Sequence, residues 1–116
     1  MTVNEAISRS ETLFPADFDS ETAYIYLSEI ESKISCVLFG GEEITLTESD
    51  GEHVLIASGV YSQLYPLYIV MKRELSFGDA DRYAFYNSVF EQTYAEYERY
   101  VSRTKASGKP THIKNI

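Results

Sequence analysis

The chain has 116 residues, with 18 acidic and 10 basic side chains and a net charge of −8. Its hydrophobic content of 44% is typical of a globular protein, and one domain of this length buries roughly 65% of its unfolded surface. An acidic surface repels phosphate, so we expect no sequence-specific binding of DNA or RNA, and the single cysteine, Cys36, excludes an internal disulfide.

Two helices are predicted in the first third of the chain. Thr2 and Glu5 have the spacing of a capping box, which predicts a helix over about 3–13. Asp19 is expected to cap the second helix, which ends at Gly40–Gly41. The buried stripes are predicted to be Val3, Ala6, Ser10 and Leu13 on the first helix and Ala23, Leu27, Ile30, Ile34 and Val37 on the second.

A β-hairpin is predicted after the second helix, over about 43–57. Residues 43–47 and 53–57 are short, rich in β-branched side chains and partly alternating, and the run Ser49–Gly51 between them favours a turn. The acidic residues of this insert indicate that one side of it faces solvent or a partner.

The third and fourth helices are expected to form an antiparallel hairpin because the connector between them is so short. The third runs to about Phe77, with Pro66 in its first turn or at a kink, and Gly78 ends it. Asp79 caps the fourth. The expected stripes are Leu64, Tyr68, Met71 and Leu75 on the third helix and Tyr83, Tyr86, Phe90, Thr93, Tyr97 and Tyr100 on the fourth.

The expected fold is therefore mainly α, a small helical bundle made of a short helix, a long helix and an antiparallel helix hairpin, with an inserted β-hairpin. A single helical domain covers residues 1–106. A flexible basic tail follows over 107–116, because Gly108 and Pro110 end regular structure.

Charge is divided unevenly along the chain. Residues 1–57 hold twelve acidic and two basic side chains, whereas the chain from Arg99 onward holds five basic and no acidic ones. Opposite charge at the two ends favours head-to-tail contact between identical subunits. The candidate interaction residues are Glu42, Glu43, Glu48, Asp50 and Glu52 on the acidic side and Arg103, Lys105, Lys109 and Lys114 on the basic side.

Two tyrosines are further candidates for contacts between subunits. Tyr65 and Tyr94 fall off the predicted stripes, and tyrosine is common at interfaces. The other tyrosines have helical spacing, which favours a core seam over a ligand-binding box.

No catalytic, cofactor or metal site is expected. Gly40–Gly41 lacks the further glycines of a phosphate loop, and His53 and His112 lack the spacing of zinc ligands. A nucleophilic pair of Cys36 and His53 can be imagined, but a cysteine near the end of an amphipathic helix is expected to be a small, half-buried side chain.

Paired carboxylates give no catalytic site either. Glu29 and Glu31 are two positions apart on a helix, so their side chains diverge, and we expect both on a solvated face.

The order of these segments resembles one protein family. The first helix begins with the letters TVNEAI, the second contains YLSEIE, and the helix hairpin contains VYSQLYPLY and DADRYAFYNSVF. Over residues 2–105 this pattern is similar to the head–tail connector (adaptor) proteins of long-tailed bacteriophages and their prophages. The resemblance is strongest between Leu64 and Tyr100.

The resemblance implies a structural protein without enzymatic activity. Such a subunit would join a ring of identical copies beneath the portal protein and bridge it to stopper and tail-completion proteins, so that DNA passes through the ring. It would be made in the bacterial host cytoplasm and act at the virion head–tail junction. No signal peptide, membrane partner or cofactor is expected.

Two alternatives remain open. The first is a small acidic cytosolic regulatory or inhibitor protein, such as a DNA mimic. The second is an enzyme that uses tyrosine or cysteine chemistry.

Overall fold

A computed structural model of the protein describes residues 1–14 and 19–106. Within these residues it contains four α-helices, α1 (Val3–Leu13), α2 (Ser20–Lys33), α3 (Leu64–Phe77) and α4 (Ala80–Ala106). A π-helical turn, Ile34–Leu38, continues α2, and two 3-10 turns, Glu48–Asp50 and Gly59–Gln63, lie between α2 and α3. The mainly helical class is confirmed. The predicted tail, 107–116, lies outside the described residues.

The first helix begins at its predicted capping box. The Thr2 hydroxyl accepts a hydrogen bond from Glu5 N at 3.2 Å, and the Glu5 carboxylate accepts one from Thr2 N at 2.9 Å. At the other end the prediction for Leu13 is wrong, since its side chain is exposed. Phe14 is buried instead, with its ring centroid 5.4 Å from that of Phe77.

The second helix starts as predicted, with the Asp19 carboxylate accepting from Glu21 N at 2.9 Å. Its predicted stripe is buried as far as Ile34, but Val37 is 63% exposed and Leu38 is buried in its place. A π-helical turn holds more residues than an α-helical one, so the buried face advances by one position. The prediction for Val37 is therefore wrong.

Helices α3 and α4 pack along each other as the predicted hairpin. Gly78 ends α3 at φ +78°, a conformation that glycine adopts without strain, and the Asp79 carboxylate accepts from Arg82 N at 3.1 Å. Pro66 lies in the first turn of α3, where its missing N–H leaves no helical bond unmade. Glu74 and Arg82 form an ion pair across the connector.

Helix α3 contacts α1, α2 and α4, so more than one stripe of it is buried. Leu64 and Met71 are buried as predicted, whereas Leu75 is 54% exposed and its prediction is wrong. The buried face of α3 consists of Leu64, Tyr65, Pro66, Ile69, Val70, Met71, Arg73 and Glu74. Between residues 80 and 105 of α4, the buried residues are Phe90, Tyr94, Tyr97 and Val101.

The predicted β-hairpin is absent, and no strand occurs in the described parts of the chain. Its two halves bind different partners. Val54 forms an isolated antiparallel bridge with Thr2, in which Leu55 N donates to Met1 O at 2.9 Å and Val3 N to His53 O at 3.0 Å. The other half, residues 42–46, lies against α2. The insert therefore joins the N-terminus to α2 rather than pairing with itself.

Candidate functional site

Residues 42–46 form an extended segment that is held by a row of serines on α2 and its π-helical turn. The Ser32 hydroxyl accepts from Ile44 N at 2.8 Å and donates to Ile44 O at 2.9 Å. One turn earlier, Ser28 accepts from Leu46 N at 2.8 Å, and within the π-helical turn Ser35 donates to Glu42 O at 2.8 Å. These hydroxyls bind the edge of the segment as a neighbouring strand would.

A close approach to Gly41 completes this attachment. A Cβ atom at this position would lie 2.6 Å from Ser35 Oγ, so a side chain there would displace the hydroxyl that donates to Glu42 O. Gly41 N also donates to Ser35 O at 2.8 Å. We therefore name residues 42–46 the serine-bound segment.

A buried polar network holds the far end of the insert. The Glu31 carboxylate, which is fully buried, accepts from Ile56 N at 2.9 Å and from the Tyr65 hydroxyl at 2.5 Å. The same hydroxyl accepts from Ala57 N at 2.8 Å. The expectation that Glu31 lies on a solvated face is wrong, because two backbone N–H groups of the insert require an acceptor inside the core.

Burial also changes the acidity of this pair. Loss of solvent raises the pKa of Glu31, although the hydrogen bonds from Tyr65 and Ile56 oppose the rise. Burial, and then the nearby Glu31 carboxylate, raise the pKa of the Tyr65 hydroxyl well above its usual value. Tyr65 therefore stays protonated, and its hydroxyl donates a hydrogen bond to the Glu31 carboxylate.

The predicted acidic residues lie on or just after the serine-bound segment. Among residues 1–14 and 19–106, none of the basic side chains forms an ion pair with any of them. Asp50 accepts from Thr47 N at 2.8 Å, and Glu52 makes a long contact with Asn4. The exposed carboxylates of this acidic surface are those of Glu42, Glu43, Glu48 and Glu52, and that of Asp50 is partly covered.

The predicted basic residues divide between described and undescribed parts of the chain. Arg103 and Lys105 are exposed on the last turns of α4. Lys105 donates to Leu38 O, and its ammonium lies 5.3 Å from the centre of the Phe39 ring. The end of α4 thus lies beside the residues that lead into the serine-bound segment. Lys109 and Lys114 lie outside the described residues.

The two tyrosines that we predicted at subunit contacts are in the core. Tyr65 is fully buried and Tyr94 is 7% exposed, so the expectation that they lie off the buried faces is wrong. Each sits one position from the stripe predicted for its helix, and the buried faces are wider than one stripe. The Tyr94 ring is covered by the Lys33 ammonium, 4.7 Å from its centre.

An open groove of about 600 Å³ runs along the contact between α2 and the serine-bound segment. Ile25, Lys33 and Cys36 line one wall, and Glu43 and Thr45 line the other. Cys36 is exposed rather than half-buried, because the π-helical turn rotates it outward, and it makes no hydrogen bond with His53. In the described chain, no group of three or more His, Cys, Asp and Glu side chains is placed to hold a metal ion.

Sequence reasoning missed the serines and Glu31 as the residues that position this surface. The serines had a detectable signal, since Ser28, Ser32 and Ser35 recur at helical spacing next to the apolar stripe of α2 and its π-helical turn. A row of hydroxyls beside an apolar stripe indicates a polar partner, here the backbone of residues 42–46. For Glu31 no sequence signal exists, because its donors come from distant positions.

None of the described helices combines the length and apolar character that crossing a membrane requires. No protein-family model, curated protein or solved structure matches the chain.

Proposed function

We propose that this protein is the adaptor subunit of a bacteriophage or prophage head–tail connector. In this role it forms a ring of identical copies beneath the portal protein and binds stopper or tail-completion proteins on the other side. The observation that carries the proposal is a pair of unlike, uncovered surfaces at the two ends of one rigid helix, α4. A bridging protein requires such a pair because it binds different partners at the same time.

The first surface is apolar and surrounds the α3–α4 connector. Leu75, Phe77 and Phe85 are each more than half exposed there. Large apolar side chains clustered on a surface are typical of protein contacts. Burying them in a contact stabilises it by about 25 cal/mol for each Å² of apolar surface that is removed from water. We assign this apolar end to one neighbour in the assembly.

The second surface is charged and lies by the other end of α4. Phe85 and Lys105 are twenty residues apart on that helix, which separates the two ends by about 30 Å. The acidic surface of Glu42–Glu52 and the basic residues Arg103, Lys105, Lys109 and Lys114 are complementary in charge. Unlike patches that bind head to tail generate a ring when the rotation closes.

The net charge also suits a channel for DNA. A ring of subunits that each carry −8 repels the phosphate backbone, so DNA passes without adhering to the wall. The resemblance to adaptor proteins described above supports the same role, with DNA as a passing molecule rather than a bound ligand.

The proposal is tested by assembly. The purified chain is mixed with a portal ring from the same phage or prophage, and complexes are detected by co-sedimentation and negative-stain microscopy. We expect a complex that Phe77→Asp disrupts and Val60→Asp does not. Val60 is 78% exposed at a distant site and controls for the added charge on an apolar position. Failure of the unmodified chain to bind any portal ring or stopper would refute the proposal.

A second candidate function, a small acidic inhibitor that mimics DNA, is favoured by one observation. The acidic surface presents its carboxylates without a cation partner among the described residues, as a phosphate mimic would. Neighbouring genes discriminate between the candidates. Portal, protease and major capsid genes upstream support the adaptor, and an adjacent nuclease or toxin gene supports the inhibitor.

A further inference from the structure

The serine-bound segment has one hydrogen-bonded edge and one open edge. The peptide groups of an extended chain point alternately to its two edges. Those of Ile44 and Leu46 point to α2, where Ser32 and Ser28 bind them. The backbone N–H and C=O groups of Glu43 and Thr45 make no hydrogen bond with any residue in 1–14 or 19–106.

An open edge of this kind binds another extended chain through its backbone. Glu43 and Thr45 are exposed, so the edge is accessible from solvent. It offers two N–H and two C=O groups, which an extended stretch of four or five residues matches. Glu42 and Glu43 beside it have no cation partner among the described residues, so the best occupant carries positive charge.

The end of α4 brings one such occupant to this place. Val101 is buried, and Lys105 contacts Leu38 and Phe39, only a few residues before Glu42. Ten residues, 107–116, follow the last described residue. Ten extended residues span about 33 Å, which is more than the edge requires.

The chemistry of these ten residues fits the edge. They include Lys109, His112 and Lys114 and no acidic residue, and after Pro110 every residue has a backbone N–H. A segment tethered next to its site has an effective concentration in the millimolar range, so at micromolar protein it binds its own chain before it binds another copy.

We propose that residues 107–116 bind in extended conformation along the open edge at Glu43 and Thr45 of the same molecule. The backbone groups give the affinity, and the lysines select the edge through Glu42 and Glu43. The further consequence, that the chain covers its own acidic surface until a neighbouring subunit displaces the segment, rests on the adaptor function proposed above.

The test is amide hydrogen exchange measured by NMR on the isolated full chain and on a chain that ends at Ala106. We expect the amides of Glu43 and Thr45 to exchange about tenfold more slowly in the full chain, as they do when the edge is about 90% occupied. The amides of Ile44 and Leu46 serve as internal controls. They are already bound by serines and should exchange alike in both proteins.

Two variants separate the contributions. The double substitution His112→Pro/Ile113→Pro removes one N–H from each edge of the tail and keeps both lysines, so it should abolish the protection. The pair Lys109→Glu/Lys114→Glu should do the same through charge. If the proline variant keeps full protection, backbone pairing is absent and the proposal is wrong.

Two further outcomes would overturn the inference. Equal exchange at Glu43 and Thr45 in the full and shortened chains means that the tail does not cover the edge. Protection that disappears on twentyfold dilution means that the occupant is the tail of a second copy. Because only the isolated subunit is measured, a failure of portal binding leaves this result unaffected.

Discussion

The hydroxyl of Tyr65 is predicted to be the most important single polar group for stability. It donates to the buried Glu31 carboxylate at 2.5 Å and accepts from Ala57 N at 2.8 Å. Tyr65→Phe keeps the ring and leaves both of these groups without that partner. Each unpaired buried group costs about 1–3 kcal/mol, so the free energy of unfolding should fall by about 2–6 kcal/mol.

Two other tyrosines provide matched controls for the same chemical change. The Tyr68 hydroxyl donates to Glu29 at the exposed surface, so Tyr68→Phe should cost less than about 1 kcal/mol. The Tyr97 hydroxyl is buried and has no partner among the described residues, so Tyr97→Phe should be neutral or stabilising.

Urea denaturation followed by circular dichroism at neutral pH measures all three variants. The order of destabilisation should be Tyr65→Phe well above Tyr68→Phe, with Tyr97→Phe last. If Tyr65→Phe lies within about 0.5 kcal/mol of Tyr68→Phe, which is the usual range for surface substitutions, the network does not hold the insert to the core.

Three further predictions follow from the same contacts. Phe90 is 3% exposed in the α3–α4 seam, so Phe90→Ala should lower the free energy of unfolding by about 3–5 kcal/mol. The control Glu98→Ala changes an exposed residue and should alter that free energy little. Equal effects of the two variants in urea denaturation would show that the predicted buried face of α4 is wrong. Ser32→Ala removes both hydrogen bonds to Ile44, so it should lower the free energy of unfolding by about 1–3 kcal/mol and speed hydrogen exchange of the Ile44 amide. The control Ser8→Ala, on the exposed side of α1, should change neither quantity. Folding raises the pKa of Glu31, so the folded protein binds the Glu31 proton more tightly than the unfolded protein does. The contribution of Glu31 to the free energy of unfolding is therefore fully present below about pH 4, and it declines as the pH rises above the unfolded pKa towards the folded one. The stability of the unmodified chain relative to Glu31→Gln should therefore be greater near pH 4 than at pH 7. An increase from pH 4 to pH 7 would contradict the burial of this carboxyl.

Much of the helical framework is predictable because its signals are local. The Thr2–Glu5 capping box, the Asp19 cap and the Gly78–Asp79 connector each act within one helical turn, and the structure has each where the sequence predicts it. A cap binds N–H groups two or three residues away, so no distant partner is needed to decide where the helix begins.

The register of the buried faces was predictable only in part. Val37 follows the apolar spacing of α2 yet is exposed, because the π-helical turn adds a residue that periodicity does not reveal. Tyr65 and Tyr94 are buried because their helices are covered from more than one direction. The number of neighbours around a helix is a property of the whole fold, and one stripe underestimates the buried face when that number is high.

The candidate site was decided by tertiary structure. Residues 43–47 and 53–57 have strand-like composition, but the sequence of either segment does not predict which hydrogen-bond partners it has in the folded chain. In the folded chain the serine row of α2 lies near the first segment and the N-terminus near the second, and each contact satisfies backbone groups without requiring the two segments to pair. Glu31 is buried for the same reason, since Ile56 N and Tyr65 reach it from 25 and 34 residues away. The sequence by itself determined the local starts and stops of the helices, where each partner is a near neighbour. The choice among partners far apart in the chain belonged to the tertiary structure, because buried backbone groups bind whichever partner the packing of the helices brings within reach.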